Sequence, residues 1–218
     1  MTRRTSTTAL SPGRERAARR NVGETVEQFR REGWHLSVAS MFDGVSRDAE
    51  MYQTGFAHHV DFVTAWEAPD PFSAASAVDR LRDAGWELLH ESSWLIGPRE
   101  FRPVPGAGRD PAGGDWAMFA FWEWNDHWQA ATPREVVEYD AECDVAFQAD
   151  VDAGIGIAGR YRMDAGSQWH HLAVWELPGV RTLTSAMAEH ERVADFKFTT
   201  SRHYLGRRAP LSSILGDE

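Results

Sequence analysis

The chain has one lysine, Lys197, and one cysteine, Cys143, among 218 residues. A lone cysteine excludes an internal disulfide framework and suits a reducing cytosol. The remaining basic residues are arginines, outnumbered by acids, and the net charge of −10 argues against a nucleic-acid partner, which needs clustered cations to neutralise phosphates. No run of roughly eighteen apolar residues is present, so no transmembrane helix is expected, and the expected location is cytoplasmic. The sequence contains no Gly-x-Ser-x-Gly elbow, Cys-x-x-Cys, His-Glu-x-x-His or dinucleotide fingerprint, which removes several enzyme classes at once. The glycine-rich stretch over 103–114 lacks a following Lys-Ser/Thr and reads as a linker rather than a phosphate loop. Arg3-Arg4 has no apolar segment after it, so residues 1–20 read as a flexible tail rather than a twin-arginine signal.

What the sequence does have is a repeat. Residues 60–99 align without a gap on residues 169–208, at a constant offset of 109. Trp66-Glu67 falls on Trp175-Glu176, Pro69 on Pro178, Ser92 on Ser201 and Gly97-x-Arg99 on Gly206-x-Arg208. A period held over this length implies two copies of one supersecondary unit. The predicted organisation is a first repeat over 21–102, the linker, a second repeat over 115–208 and a C-terminal tail over 209–218.

Hydrophobic periodicity outlines the elements. In the first half it predicts a helix over 23–32, a strand over 34–42, a strand over 58–67, a helix over 72–84 and a long extended segment over 86–101. Residues 43–53 fit either a loop or a short helix. In the second half it predicts strands over 116–124, 156–163, 169–176 and 195–205, with helices over 133–152 and 183–193. The second half reads β-α-β-β-α-β, the ferredoxin-like order, and the first half shows the same order with its opening strand short or missing. The expected fold is α+β: two ferredoxin-like repeats packed sheet to sheet as an intramolecular α/β-barrel.

The aromatic strand at 116–124, the long helix and the Ala-Trp-Glu and Val-Trp-Glu motifs at 65–67 and 174–176 resemble the dimeric α/β-barrel superfamily. It includes antibiotic-biosynthesis monooxygenases, heme-degrading monooxygenases, muconolactone isomerases and chlorite dismutases, and both halves look closest to an uncharacterised member family. The segment PREVVEYDAECD (133–144) resembles the helix that bears the heme-ligating histidine in chlorite dismutases, with Asp140 at the expected histidine position. Trp175 and His190 resemble the strand Trp and helix His that are catalytic in heme-degrading monooxygenases, although the spacing is longer and their first-strand Asn has no match.

Strand alternation sorts the candidate site residues. Leu172 and Val174 share one face of their strand, predicted to pack on helices, which leaves His171, Ala173 and Trp175 facing a cavity between the repeats. In the first copy Phe62, Thr64 and Trp66 match them. Lys197, Thr199, Ser201 and His203 form the cavity side of the last strand, with Leu88, His90, Ser92 and Trp94 aligned on them. The neighbours His58-His59 and His170-His171 point to opposite faces of a strand and so cannot chelate one ion; a His90/His171/His203 metal site is an alternative to a metal-free cavity. Cys143 lies in an acidic helix, which raises a thiol pKa and argues against a nucleophile.

The expected function is a small-molecule enzyme of specialised metabolism, a cofactor-independent oxygenase or isomerase/cyclase acting on a hydrophobic aromatic substrate, as monomer or homodimer. His90, His171 or His203 would remove a proton; Ser92, Ser201 or Arg160 would stabilise the resulting charge; and Phe62, Trp66, Trp94 and Trp175 would enclose the substrate. The alternatives are a heme- or metal-dependent enzyme of the same superfamily and a non-catalytic small-molecule-binding protein.

Overall fold

A computed structural model describes residues 2–4, 10–34, 50–53, 59–101, 115–163, 168–193, 195–210 and 212–215. Residues 35–42 of the strand expected over 34–42, the linker over 103–114 and His58 lie outside the described residues. The chain divides into two compact units: unit 1 is Met1–Ile96 with Gly206–Glu218, and unit 2 is Gly97–Leu205.

Unit 1 runs β1 (Thr2–Arg4), α1 (Pro12–Arg31), β2 (Glu50–Gln53), β3 (Phe62–Val63), α2 (Pro71–Ala84), a one-turn helix α3 (Trp86–Leu89) and β4 (His90–Ser92). Its strands lie in the order β4-β1-β3-β2. Unit 2 opens on β5 (Arg99–Phe101) and continues with β6 (Trp116–Trp124), α4 (Asp126–Gln129), α5 (Pro133–Asp152), β7 (Gly156–Arg162), β8 (His171–Leu177), α6 (Val180–Arg192), a one-turn helix α7 (Asp195–Phe198) and β9 (Thr199–Pro210). Here the order is β9-β6-β8-β7, with β5 beside β7. Each unit is therefore a complete β-α-β-β-α-β repeat with the same strand permutation. The last described element is α8 (Ser212–Leu215).

The duplication holds element by element. Shifting α2 and α3 by the repeat offset lands them on α6 and α7, and β4 lands on the start of β9. The one-turn helices differ from the sequence pattern, which predicts 86–101 and 195–205 as extended. Trp86 and Leu89 are both buried, three residues apart, a spacing that suits a helical turn as well as it breaks a period-two strand.

The tail expected over 1–20 is corrected. From Pro12 onward it is α1, capped by Ser11, whose side chain accepts the Arg14 N–H, with Pro at the first turn. Ala18, Val22, Val26 and Phe29 form its buried stripe, a narrow apolar line hidden among arginines and glutamates. The expected C-terminal tail is likewise structured: β9 runs to Pro210, and Leu215 is buried with its carbonyl accepting from Arg19. No described helix is long and apolar enough to cross a membrane.

The core of unit 1 is aromatic. Trp86, 1% exposed, packs against Trp66, Trp94 and His90, with ring centroids 6.1, 5.4 and 4.8 Å away, and donates its indole N–H to Ser92 at 2.8 Å. In unit 2, α5 begins with a full capping box between Thr132 and Glu135 and lies over the sheet with α6.

Candidate functional site

Unit 2 holds a cavity of about 520 Å³ between its sheet and its two long helices. The sheet supplies Met118, Ala120, Trp122 and Trp124 from β6, Ala173 and Trp175 from β8, and Thr199, Ser201 and His203 from β9. The helices supply Val136, Tyr139, Asp140, Cys143 and Phe147 from α5, at three- and four-residue spacing, with Met187 and His190 from α6.

This placement corrects the expected facing of β8. The strand register sets Trp122, Ala120 and Met118 opposite His171, Ala173 and Trp175, as alternation requires, but that face looks toward the helices. Trp175 meets Phe147 and His190 at 6.0 and 5.4 Å, while Leu172 and Val174 lie on the other face. The assumption that helices cover the more aliphatic face fails because the helix-side space here is a lined cavity rather than a closed core.

The proposed site residues separate accordingly. Trp175, Ser201, His203 and Arg160 line the cavity. His171 sits beside it, stacked on Trp122 at 4.1 Å. His90, Phe62, Trp66, Trp94 and Ser92 belong to unit 1, where Phe62, Trp66 and Trp94 help to form the hydrophobic cluster around Trp86. The sequence grouping of all ten around one shared cavity is corrected to this division. Among the described residues no set of three His, Cys, Asp or Glu side chains converges as metal ligands, which leaves the His90/His171/His203 alternative without support.

The repeat explains why the cavity exists. At aligned positions unit 1 carries Leu81, Trp86, His90 and Trp94, where unit 2 carries His190, Asp195, Thr199 and His203. Trp86 and Trp94 fill the first copy; Asp195 and His203, smaller and polar, leave the second open. In the sequence this signal lies in the differences between the two halves rather than in their matches.

The polar substitutions build a buried network. His190, 1% exposed, and Asp150, 2% exposed, meet through Nε2 and Oδ2 at 2.8 Å, and His190 Nδ1 meets Asp195 Oδ2 at 3.0 Å. Tyr139 donates its hydroxyl to the other Asp195 oxygen at 2.6 Å. Burial alone would lower the His190 pKa, but the hydrogen bonds it donates to Asp150 and Asp195 outweigh it and hold the ring up at about 9. At neutral pH it is an imidazolium clamped by two carboxylates. Burial raises Asp150, opposed by His190, and raises Tyr139, helped by Asp195. Burial also pushes the Cys143 thiol to about 12, in keeping with its expected inertness.

At the other end lies an aromatic wall. Trp124 stacks on Trp128 at 3.8 Å, Trp122 lies against Trp124 at 4.9 Å, and the Arg160 guanidinium sits 5.2 Å from the Trp122 ring centre while bonded to Glu100. His171 is pushed down to about 4 by burial and by Arg160, against the opposing pull of Glu100, so it is a neutral ring at physiological pH.

No family model matches the chain, and no curated protein does. Solved structures do. One provisionally described as a chlorite dismutase has a TM-score of 0.72 at 13% identity, over 99% of this chain and 95% of its own. A variant of chlorite dismutase from Candidatus Nitrospira defluvii gives 0.71 at 14%, over 99% and 91%, and that protein in complex with imidazole gives 0.66 at 15%, over 94% and 87%. At such identities the likeness is one of fold, and it places the chain's architecture with the chlorite dismutase-like, ferredoxin-type proteins. It also overturns the cofactor-free expectation, because the chlorite dismutases are the group that the sequence resemblance ties to heme.

Proposed function

We propose that this chain is a heme-dependent enzyme with its cofactor site in the cavity of unit 2. The observation that carries the reading is that cavity: it is aromatic, of ligand size, and lies in the repeat where Asp195 and His203 stand at the positions of Trp86 and Trp94. The chlorite dismutase fold supports it.

The residues present suit the group. Trp122, Trp124, Trp175 and Phe147 offer flat apolar walls for a macrocycle, and Ala120 and Ala173 keep the sheet surface low between them. The donor set includes two imidazoles, His190 and His203, a ligand type that heme iron accepts. Bound heme would supply one-electron and oxygen chemistry. Around it the chain's own groups would hold charge and exclude water: Arg160 and Ser201 would bind polar atoms of substrate or cofactor, while His190, bonded to Asp150 and Asp195, ties α6 to α5 and α7 behind the cavity wall. The small apolar or aromatic substrate inferred from the sequence would enter against Trp122 and Trp124.

Titrating the purified protein with hemin tests this. A Soret band that saturates in the wild type, and is lost in Ser201→Trp with native far-ultraviolet circular dichroism, is the expected result. A wild type that never develops the band, or a filled variant that binds as well, contradicts the site.

A further inference from the structure

We propose that His203, presented by β9, ligates the heme iron in place of a ligand from α5; the proposal rests on the heme reading above. On α5 the position corresponding to the heme-ligating histidine of the resembling helix is Asp140, a cavity-lining carboxylate. The other α5 donors are spoken for. Tyr139 donates its hydroxyl hydrogen bond to Asp195, and burial holds Cys143 as a thiol, whereas iron takes the thiolate.

Two imidazoles line the cavity, and they differ in what binds their nitrogens. His190 has a carboxylate at each ring nitrogen, at 2.8 and 3.0 Å. Turning Nε2 toward iron would leave the buried Asp150 carboxylate without its partner, which is strongly unfavourable. His203 has no hydrogen bond to either nitrogen among the described residues, and its ring contact is Phe196 at 5.9 Å. His171 is kept from the cavity by its stack on Trp122.

The repeat gives an independent reason. The position aligned with His203 is Trp94, which packs against Trp66 and Trp86 in unit 1. Replacing that plug by an imidazole opens the space and puts a donor at its edge in one step. The side chain is exposed on one side, so a ligand reaches it without displacing core residues.

The test is hemin binding followed by absorption and electron paramagnetic resonance in wild type, His203→Ala and His190→Gln. In His203→Ala we expect hemin affinity to fall by at least the roughly 10–100-fold known for weaker perturbations of metal sites, with a changed Soret position and spin state. Free imidazole should restore the wild-type spectrum. His190→Gln should keep the wild-type ligation signature. An unchanged spectrum in His203→Ala, beside normal binding by wild type, overturns the assignment and leaves the heme reading intact. A wild type that binds no hemin overturns both.

Discussion

His190 and His171 are two buried histidines driven in opposite directions by their neighbours, and this sets how stability responds to pH. His190 keeps its proton to about pH 9 when folded, against an ordinary value of 6.5. The folded chain therefore binds more protons there than the unfolded chain between 6.5 and 9. That contribution, on the order of 3 kcal/mol, is complete below pH 6.5 and is lost as pH rises through 9. His171 behaves in the reverse sense. Its folded value of about 4 means that its contribution is present above pH 6.5 and is lost as pH falls through 4. Urea denaturation across pH should show His190→Gln flattening the fall between 6.5 and 9, and His171→Phe flattening the rise between 4 and 6.5. Variants whose slopes match the wild type would contradict the clamp and the buried neutral ring, respectively. The clamp itself was not legible in the sequence. Asp150, His190 and Asp195 lie on three elements, and only the packing of α5 over α6 and α7 brings them within hydrogen-bond distance.

At the scale of elements, α1 shows how a helix hides. Its Ser11-Pro12 start is a strong capping signal, yet the surrounding Arg and Thr residues give the composition of a tail, and its buried stripe, Ala18, Val22, Val26 and Phe29, has only about one side chain per turn. A chain truncated to begin at residue 21 would lose β1 and the first half of α1. We expect it to lose the cooperative unfolding of unit 1 and the part of the far-ultraviolet helix signal that unit 1 supplies, whereas Ser11→Ala alone should cost about 1 kcal/mol in urea denaturation. A truncated chain that unfolds cooperatively with wild-type helix content would show α1 to be dispensable. The second half was easier to read: β6 and α5 are long, strongly patterned and bounded by Pro133, and their observed limits coincide with the expected ones. The short helices α3 and α7 were beyond reach, because a single turn carries too few residues to separate helical from strand period. Misreading α7 matters for the site, since Asp195 and Phe196 reach the cavity from a helical turn that strand alternation could not place.

Over the whole molecule the repeat was the most legible feature, and the use each copy makes of it was the least. Both copies keep the Trp of the strand motif, Trp66 and Trp175, and the serine pair Ser92 and Ser201. They diverge at four buried or cavity positions, where Leu81, Trp86, His90 and Trp94 close one copy and His190, Asp195, Thr199 and His203 furnish the other. On the proposed function, duplication leaves one copy free to serve as a packed scaffold while its twin carries the site. The most direct test of this division is the stoichiometry of hemin binding, read from the break point of a Soret titration at protein concentrations well above the dissociation constant. One heme per chain is the predicted result; two per chain, or none, would contradict it.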